Sequence, residues 1–90
     1  MRIRILVFAD LREKLGWKER ILEFSKDTEI SLNEVLESIP ILKTLVTESS
    51  KVRKGYIILI NGIDYEALGG LKALIKNNDT ISIFPPAGGG

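Results

Sequence analysis

The 90-residue sequence contains neither cysteine nor histidine. Without cysteine the chain has no thiol nucleophile, no redox pair, no persulfide and no thiolate metal ligand. Without histidine it lacks the usual general base and the commonest metal ligand. We therefore expect neither an ordinary catalytic centre nor a bound metal. The absence of cysteine is also compatible with a reducing compartment.

Long apolar runs and a strong net charge are missing as well. The apolar run near the N-terminus, residues 5–9, is far shorter than the ~20 apolar residues that a membrane-spanning helix needs. No small-residue cleavage site follows it, so we interpret it as part of a strand rather than of a signal peptide. The formal net charge of +1 gives no general attraction to nucleic acid. We expect a cytoplasmic protein with no membrane and no nucleic-acid partner.

What the sequence does contain is enough apolar residues, 44%, for the core of one globular domain. Isoleucine and valine alternate with other residues over 2–8, which is the period of a half-buried strand. Further strands are predicted at residues 19–24, 56–60, 63–66 and 80–84. The run 56–60 is apolar throughout, so we expect it at the centre of the sheet, covered on both faces. The charged segment 10–18 is predicted to be the loop of the first hairpin.

A helix is predicted to begin near Ser31. Glu34 follows three residues later, which is the pattern of a capping box, and Pro40 should end or kink the helix near residue 39. The apolar stripe of this helix consists of Leu32, Val35, Leu36 and Ile39. Residues 41–46 fit a second short helical piece.

The order of these elements predicts an α+β fold of the β-grasp type. One main helix should cover one face of a mixed sheet of four to five strands, since a lone hairpin would not be stable. Asn61-Gly62 predicts a tight turn, and "LGG" at 68–70 predicts another, because it lacks the spacing of a phosphate-binding loop. We divide the chain into a domain at 1–84 and an extended C-terminal tail at 85–90.

The polar residues show no pattern that would identify a catalytic site. The carboxylates lie among lysines and arginines, so we interpret them as solvated surface. The segment "KVRK" at 51–54 is interpreted as a solvated loop, with a rim contact to an acidic partner as the alternative. Trp17 is expected to pack over the edge of the core rather than to stack on a ligand.

Strand parity places two aromatic residues away from the core. If the isoleucines of the first and last strands face the helix, Phe8 and Phe84 face the other way. Two interpretations stay open at this point. Either the two rings form a contact surface for a partner, or a loop covers each of them or Phe8 turns inward at the end of its strand.

The C-terminal tail has the clearest chemical meaning. Pro85 and Pro86 favour an extended course, and residues 85–90 can reach roughly 20 Å from the domain at ~3.3 Å each. Glycine at the tip lets a partner close around the backbone without steric conflict. A free carboxylate needs activation before it can transfer an acyl group, most simply as an adenylate made from ATP. Sulfur attack would then give a thiocarboxylate, and lysine attack an amide link.

These residues resemble a known family. "FPPAGGG" at 84–90 resembles the terminal Phe-Pro-Pro-x-x-Gly-Gly of the MoaD/ThiS family, and "FADLREKLG" at 8–16 resembles its first strand and loop. "ING" at 60–62 and "NNDTISIF" at 77–84 also fit, so the resemblance covers the whole chain. It is greatest to the small sulfur-carrier subunit of molybdopterin synthase. Gly88 stands where the family often has a larger residue, which leaves Gly89 and Gly90 intact.

The resemblance implies a ubiquitin-like β-grasp fold with a flexible tail. It also implies that a ubiquitin-activating-type enzyme uses ATP to adenylate Gly90, which then becomes a thiocarboxylate. The tail would enter the large subunit of molybdopterin synthase and give sulfur to a cyclic pterin precursor. This chain would be the non-catalytic donor, with no bound cofactor. By motif position Phe8 and Phe84 are implied partner contacts, Ile63 is a weaker one, and Arg12 is a polar rim contact.

Other functions remain open from the sequence. The protein could be a ubiquitin-like modifier joined through Gly90 to lysines of other proteins, since carrier and modifier need the same terminus. It could carry sulfur for thiamine synthesis or tRNA thiolation. A simple binding module with an inert tail is the remaining alternative.

Overall fold

The structure is a computed structural model that describes residues 1–25 and 29–87. The strands are β1 (Arg2–Val7), β2 (Glu19–Glu23), β3 (Ile30–Ser31), β4 (Thr47–Glu48), β5 (Lys51–Val52), β6 (Ile57–Ile60), β7 (Ile63–Asp64), β8 (Leu74–Ile75) and β9 (Thr80–Phe84). The helices are α1 (Asp10–Leu15), α2 (Leu32–Glu37), α3 (Pro40–Val46) and two 3₁₀ helices at Tyr65–Leu68 and Gly70–Lys72. No helix in the described ranges is long and apolar enough to cross a membrane.

A five-stranded mixed sheet forms one layer, in the order β2-β1-β9-β6-β7. The first hairpin, β1 and β2, is antiparallel, and the last strand β9 runs parallel to β1 and antiparallel to β6. This is the topology of the predicted β-grasp. The central strand is therefore β9, and the expectation that 56–60 forms the centre is wrong. One face of β6 is buried, and none of the described residues forms a layer over the other face, where Ile57 is 48% exposed.

The helical layer begins as the sequence predicts. The Ser31 hydroxyl oxygen accepts a hydrogen bond from the Glu34 amide at 3.1 Å, and the Ser31 amide donates to the Glu34 carboxylate at 3.2 Å, which confirms the capping box. α2 ends at Glu37, and Pro40 then begins α3 at its first position, where the missing N–H breaks no helical hydrogen bond. The helix and its short successor are thus both present.

The core lies between the helices and one face of the sheet. It contains the apolar residues Ile3, Ile5, Val7, Leu11, Ile30, Leu32, Val35, Leu36, Ile39, Leu42, Val46, Ile58, Ile60, Ala73, Ile75, Ile81 and Ile83. Alternate residues of β1 and β9 supply the sheet side of the core, as the strand period requires. Trp17 is half-buried against the edge of this cluster, as predicted.

Two segments predicted as loops form regular structure. Residues 10–18 contain α1, because Leu11 is buried and Leu15 packs against the core one turn later, and Gly16 ends the helix in the left-handed conformation at φ 85°. The segment 51–54 contains β5, which pairs with β4 in a small hairpin. Arg53 holds this hairpin by donating to the Thr44 carbonyl at 3.0 Å and pairing with Glu48 at 3.2 Å.

The turn at Asn61-Gly62 is confirmed. Both residues have positive φ, 51° and 83°, as a two-residue turn that connects right-twisted antiparallel strands requires. The Asn61 side chain also accepts from the Thr80 amide and donates to Asp79, each at 2.9 Å. The turn is therefore linked to the start of the central strand.

Candidate partner-binding site

Phe8 and Phe84 stack on each other where β1 and β9 end. Their ring centroids lie 4.2 Å apart and the ring planes differ by 8°. Val7 pairs with Ile83 in the parallel ladder, so the next residue of each strand lies side by side on the face away from the core. Both rings are half-buried. Phe8 thus does not turn inward. The prediction that both rings face away from the core is confirmed, and their contact with a partner stays a prediction.

Arg12 completes this cluster from α1. Its guanidinium carbon lies 5.1 Å from the centre of the Phe8 ring, a cation–π distance, and its Nε donates to the Val7 carbonyl at 2.8 Å. The chain reaches this position through Ala9, whose φ of 52° and ψ of −136° lie in a region that side-chain-bearing residues rarely adopt. This sharp turn directs α1 back over the ring of Phe8.

The stacked pair continues into an apolar strip along the open face of the sheet. Ile57 pairs directly with Phe84, and Leu59 and Leu6 flank Ser82 on the neighbouring strands. These side chains are half-buried or exposed. Beyond them Arg4 and Glu19 form an ion pair on the exposed surface. Apolar residues bordered by charged ones are typical of protein-binding surfaces.

Ile63 does not belong to this cluster. It is 50% exposed, but it pairs with Ile60 in the turn at the other end of β6. Directly paired residues share a face, so Ile63 lies on the side of the sheet that carries the buried Ile60. Its predicted contact with a partner would need a second surface, and it stays a prediction.

The tail leaves the domain next to the stacked pair. Pro85 is half-buried, and Pro86 and Ala87 are exposed. Pro86 lies against Gly55, whose φ is +90°, so closely that a Cβ atom at position 55 would be 2.9 Å from the Pro86 Cγ. Gly88, Gly89 and Gly90 lie outside the described residues. The role of the Gly90 carboxylate therefore stays a prediction.

The described part of the chain offers little other reactive chemistry. It contains no group of three or more acidic residues that could hold a metal ion. Burial raises the pKa of the Tyr65 hydroxyl above its usual value, and the charges of Glu66 and Asp64 raise this pKa further. A groove of about 500 Å³ runs between α3 and the β4–β5 hairpin, but none of its lining residues belongs to the Phe8–Phe84 cluster.

Known proteins resemble this chain in both sequence and fold. It is 28% identical over 94 residues to small archaeal modifier protein 3 of Haloferax volcanii, with 100% of both chains covered. It is 31% identical to small archaeal modifier protein 1 from Methanosarcina acetivorans, whose solution structure superposes with a TM-score of 0.73 over 99% of this chain and 96% of that chain.

A third relative was crystallised with a second protein. A chain of the Amycolatopsis orientalis BexX/CysO complex superposes with a TM-score of 0.76 at 23% identity, over 98% of this chain and 99% of that chain. At this identity the likeness concerns the fold. The sequence model of the ThiS family matches residues 5–90, from the first strand to the terminal glycine. The chain therefore belongs to the ThiS family of ubiquitin-like sulfur carriers and modifiers and has their β-grasp fold.

Proposed function

We propose that this protein is the sulfur carrier that forms the small subunit of molybdopterin synthase. The observation that carries the proposal is the terminal segment 84–90, "FPPAGGG", which begins in the central strand beside the stacked Phe8 ring. The family match that extends to Gly90 supports it. The sulfur would go to a cyclic pterin precursor in the synthesis of the molybdenum cofactor.

The chemistry would take place at the terminal carboxylate. Attack of the Gly90 carboxylate oxygen on the α-phosphorus of ATP forms an acyl-adenylate and releases pyrophosphate. Sulfide then attacks the acyl carbon, the bond to AMP breaks, and a thiocarboxylate remains. This chain supplies the acyl group, and a ubiquitin-activating-type enzyme binds the ATP. Because the cycle needs ATP, we place it in the cytoplasm.

The rest of the molecule would present that terminus to its partners. Phe8, Phe84 and Arg12 form a preorganised surface beside the point where the tail leaves. Aromatic and arginine side chains are enriched at protein–protein interfaces and among the residues whose truncation costs most binding energy. The adenylating enzyme and the large subunit of the synthase would bind there in turn, while the tail enters the active site of each.

Intact-mass spectrometry tests this proposal. The protein is incubated with the adenylating enzyme, ATP and sulfide, and we expect one terminal oxygen to be replaced by sulfur. A chain that ends at Ala87, and so lacks all three glycines, serves as the control and should keep its mass. The thiocarboxylate form is then mixed with the large subunit and the cyclic pterin, which should yield the dithiolene product. No mass change with an enzyme that is active on another carrier would refute sulfur loading.

The second candidate function is that of a protein modifier. Its specific support is the similarity to small archaeal modifier proteins 3 and 1. In this case a lysine amine attacks the same adenylate and forms an amide bond. Mass spectrometry of digested cellular proteins would then find glycine remnants on lysines, and these would disappear in cells whose chain ends at Ala87. The same cells also distinguish the possible sulfur acceptors. Loss of molybdopterin, of thiamine or of thiolated tRNA identifies the pathway that the carrier supplies.

A further inference from the structure

Gly55 lies two residues before the first residue of β6 and packs against the base of the tail. A Cβ atom at this position would lie 2.9 Å from Cγ of Pro86, which is closer than Cβ atoms approach other heavy atoms in real proteins, and 3.0 Å from Cβ of Pro86. The left-handed conformation alone does not demand this contact. Gly62 has a similar φ of +83°, yet a Cβ there would meet nothing within 4 Å. Gly55 thus has a steric reason to be glycine that Gly62 lacks.

The contact occurs where hydrogen bonds can no longer hold the tail. β9 ends at Phe84, which pairs with Ile57, so the chain before β6 runs alongside the residues after β9. Pro85 and Pro86 have no N–H group to donate to the ladder of the sheet, and among the described residues neither carbonyl accepts a backbone hydrogen bond from the segment before β6. Packing is the interaction that remains to fix the tail there, and the ring of Pro86 lies on the bare backbone of Gly55.

The position of this contact matters for the terminus. Three residues follow Ala87, and an extended chain of that length spans only about 10 Å. A change of direction at Pro86 would therefore displace everything that follows. The turn before β6 is closed by a hydrogen bond from the Tyr56 amide to the Arg53 carbonyl at 3.3 Å. This bond fixes the position of Gly55 independently of the tail.

We propose that Gly55 is a positioning residue for sulfur loading. The contact of Pro86 with Gly55, which we call the seat, sets the direction in which the tail leaves the domain. This inference rests on the proposed function, because the seat matters only if the terminus must enter a partner's active site. A tail without the seat samples several directions. The apparent affinity for the adenylating enzyme is then the intrinsic affinity multiplied by the fraction of chains whose tail points in the productive direction.

The seat itself is tested by NMR spectroscopy on the free protein. The wild-type protein should show nuclear Overhauser contacts between the Hα atoms of Gly55 and the ring protons of Pro86. Gly55→Ala should lose the contact, whereas Gly62→Ala, which introduces the same positive-φ strain without a clash, should keep Gly55 against Pro86. Both variants should unfold at similarly lowered urea midpoints. Absence of the contact in the wild-type protein would overturn the proposal.

The functional consequence is tested by pyrophosphate exchange with the adenylating enzyme and ATP. Gly55→Ala should raise the KM for the carrier about tenfold at nearly unchanged kcat, if roughly one tail direction in ten is productive. Gly62→Ala should leave KM unchanged. In a double-mutant cycle with Pro86→Ala, the two KM effects should be clearly less than multiplicative, because both changes remove the same contact.

The outcomes separate the seat from the function. An unchanged KM in Gly55→Ala, together with loss of the NMR contact, would refute the positioning role and leave sulfur carriage intact. Multiplicative effects in the double variant would also refute it. If the wild-type protein supports no exchange with an active enzyme, the proposed function fails, even though the NMR contact is present.

Discussion

Removing the rings of Phe8 and Phe84 tests whether the stacked pair acts as one unit. Truncation of a fully buried phenylalanine to alanine costs about 3–5 kcal/mol. Both rings are half-buried, so we expect each of Phe8→Ala and Phe84→Ala to lower the free energy of unfolding by about 2 kcal/mol. A domain of this size is typically stable by about 5–15 kcal/mol, so both variants should remain folded.

The coupling energy between the two rings decides whether they act as one unit. Aromatic pairs in stacked geometry contribute about 0.5–1.5 kcal/mol beyond their buried area. Each single variant already loses this contribution, and the double variant loses it once. With centroids 4.2 Å apart, the double variant should therefore be destabilised by about 3 kcal/mol rather than by the sum of about 4.

Urea denaturation of the four proteins measures these energies, with the fluorescence of the half-buried Trp17 as the signal. Ile41→Ala is the matched control, because Ile41 is an apolar residue on α3 that is 56% exposed and outside the cluster. Its cost should stay within about 0.5 kcal/mol. A coupling energy below about 0.3 kcal/mol would refute the reasoning that the two rings support each other.

The same variants test the surface. We expect Phe84→Ala to weaken binding of the large subunit by at least about 2 kcal/mol, as removal of a central aromatic contact does, and Ile41→Ala to leave binding unchanged. Isothermal titration calorimetry measures both. Equal affinities for the wild-type protein and Phe84→Ala would show that the partner binds elsewhere.

Three further predictions concern single residues. Ser31→Ala removes the capping box of α2 and should lower the free energy of unfolding by about 1 kcal/mol, measured in urea. Ala9→Gly should raise the free energy of unfolding by about 1 kcal/mol, because relief of ~1–3 kcal/mol of strain exceeds the entropy cost of glycine; a lower urea midpoint would contradict this. Because the pKa of Tyr65 is raised in the folded protein, its contribution to stability is present below the unfolded pKa of about 10 and is lost as the pH rises through the folded pKa. Tyr65→Phe should therefore reduce the loss of stability above about pH 10, measured as urea midpoints at neutral and alkaline pH.

Much of the fold could be predicted because its signals are local. The capping box joins residues three apart, and the Asn61-Gly62 turn depends on the φ preferences of its own two residues. The outward direction of Phe84 follows from the alternation of one strand. In each case the interaction lies within a few residues of the pattern that predicts it.

Other elements depend on burial that the sequence does not display. α1 has only Leu11 and Leu15 as its apolar face, and six residues are too few to form a stable helix without the core beneath them. The strand at the centre of the sheet is β9 rather than the more apolar β6. Strand order depends on how the helical crossover packs on the sheet and not on the hydrophobicity of any one strand.

The sequence by itself determined the absence of thiol and imidazole chemistry, the strand and helix periods, and a terminus of two prolines and three glycines. Only the tertiary structure decided which distant residues meet there. It stacks Phe8 on Phe84, brings Arg12 over the ring and places Gly55 under Pro86. The physical reason is that the Phe8–Phe84 and Gly55–Pro86 contacts join segments far apart in the chain, and Arg12 reaches Phe8 only because core packing holds α1 in place. Their proximity arises from strand pairing and core packing, which no local pattern encodes.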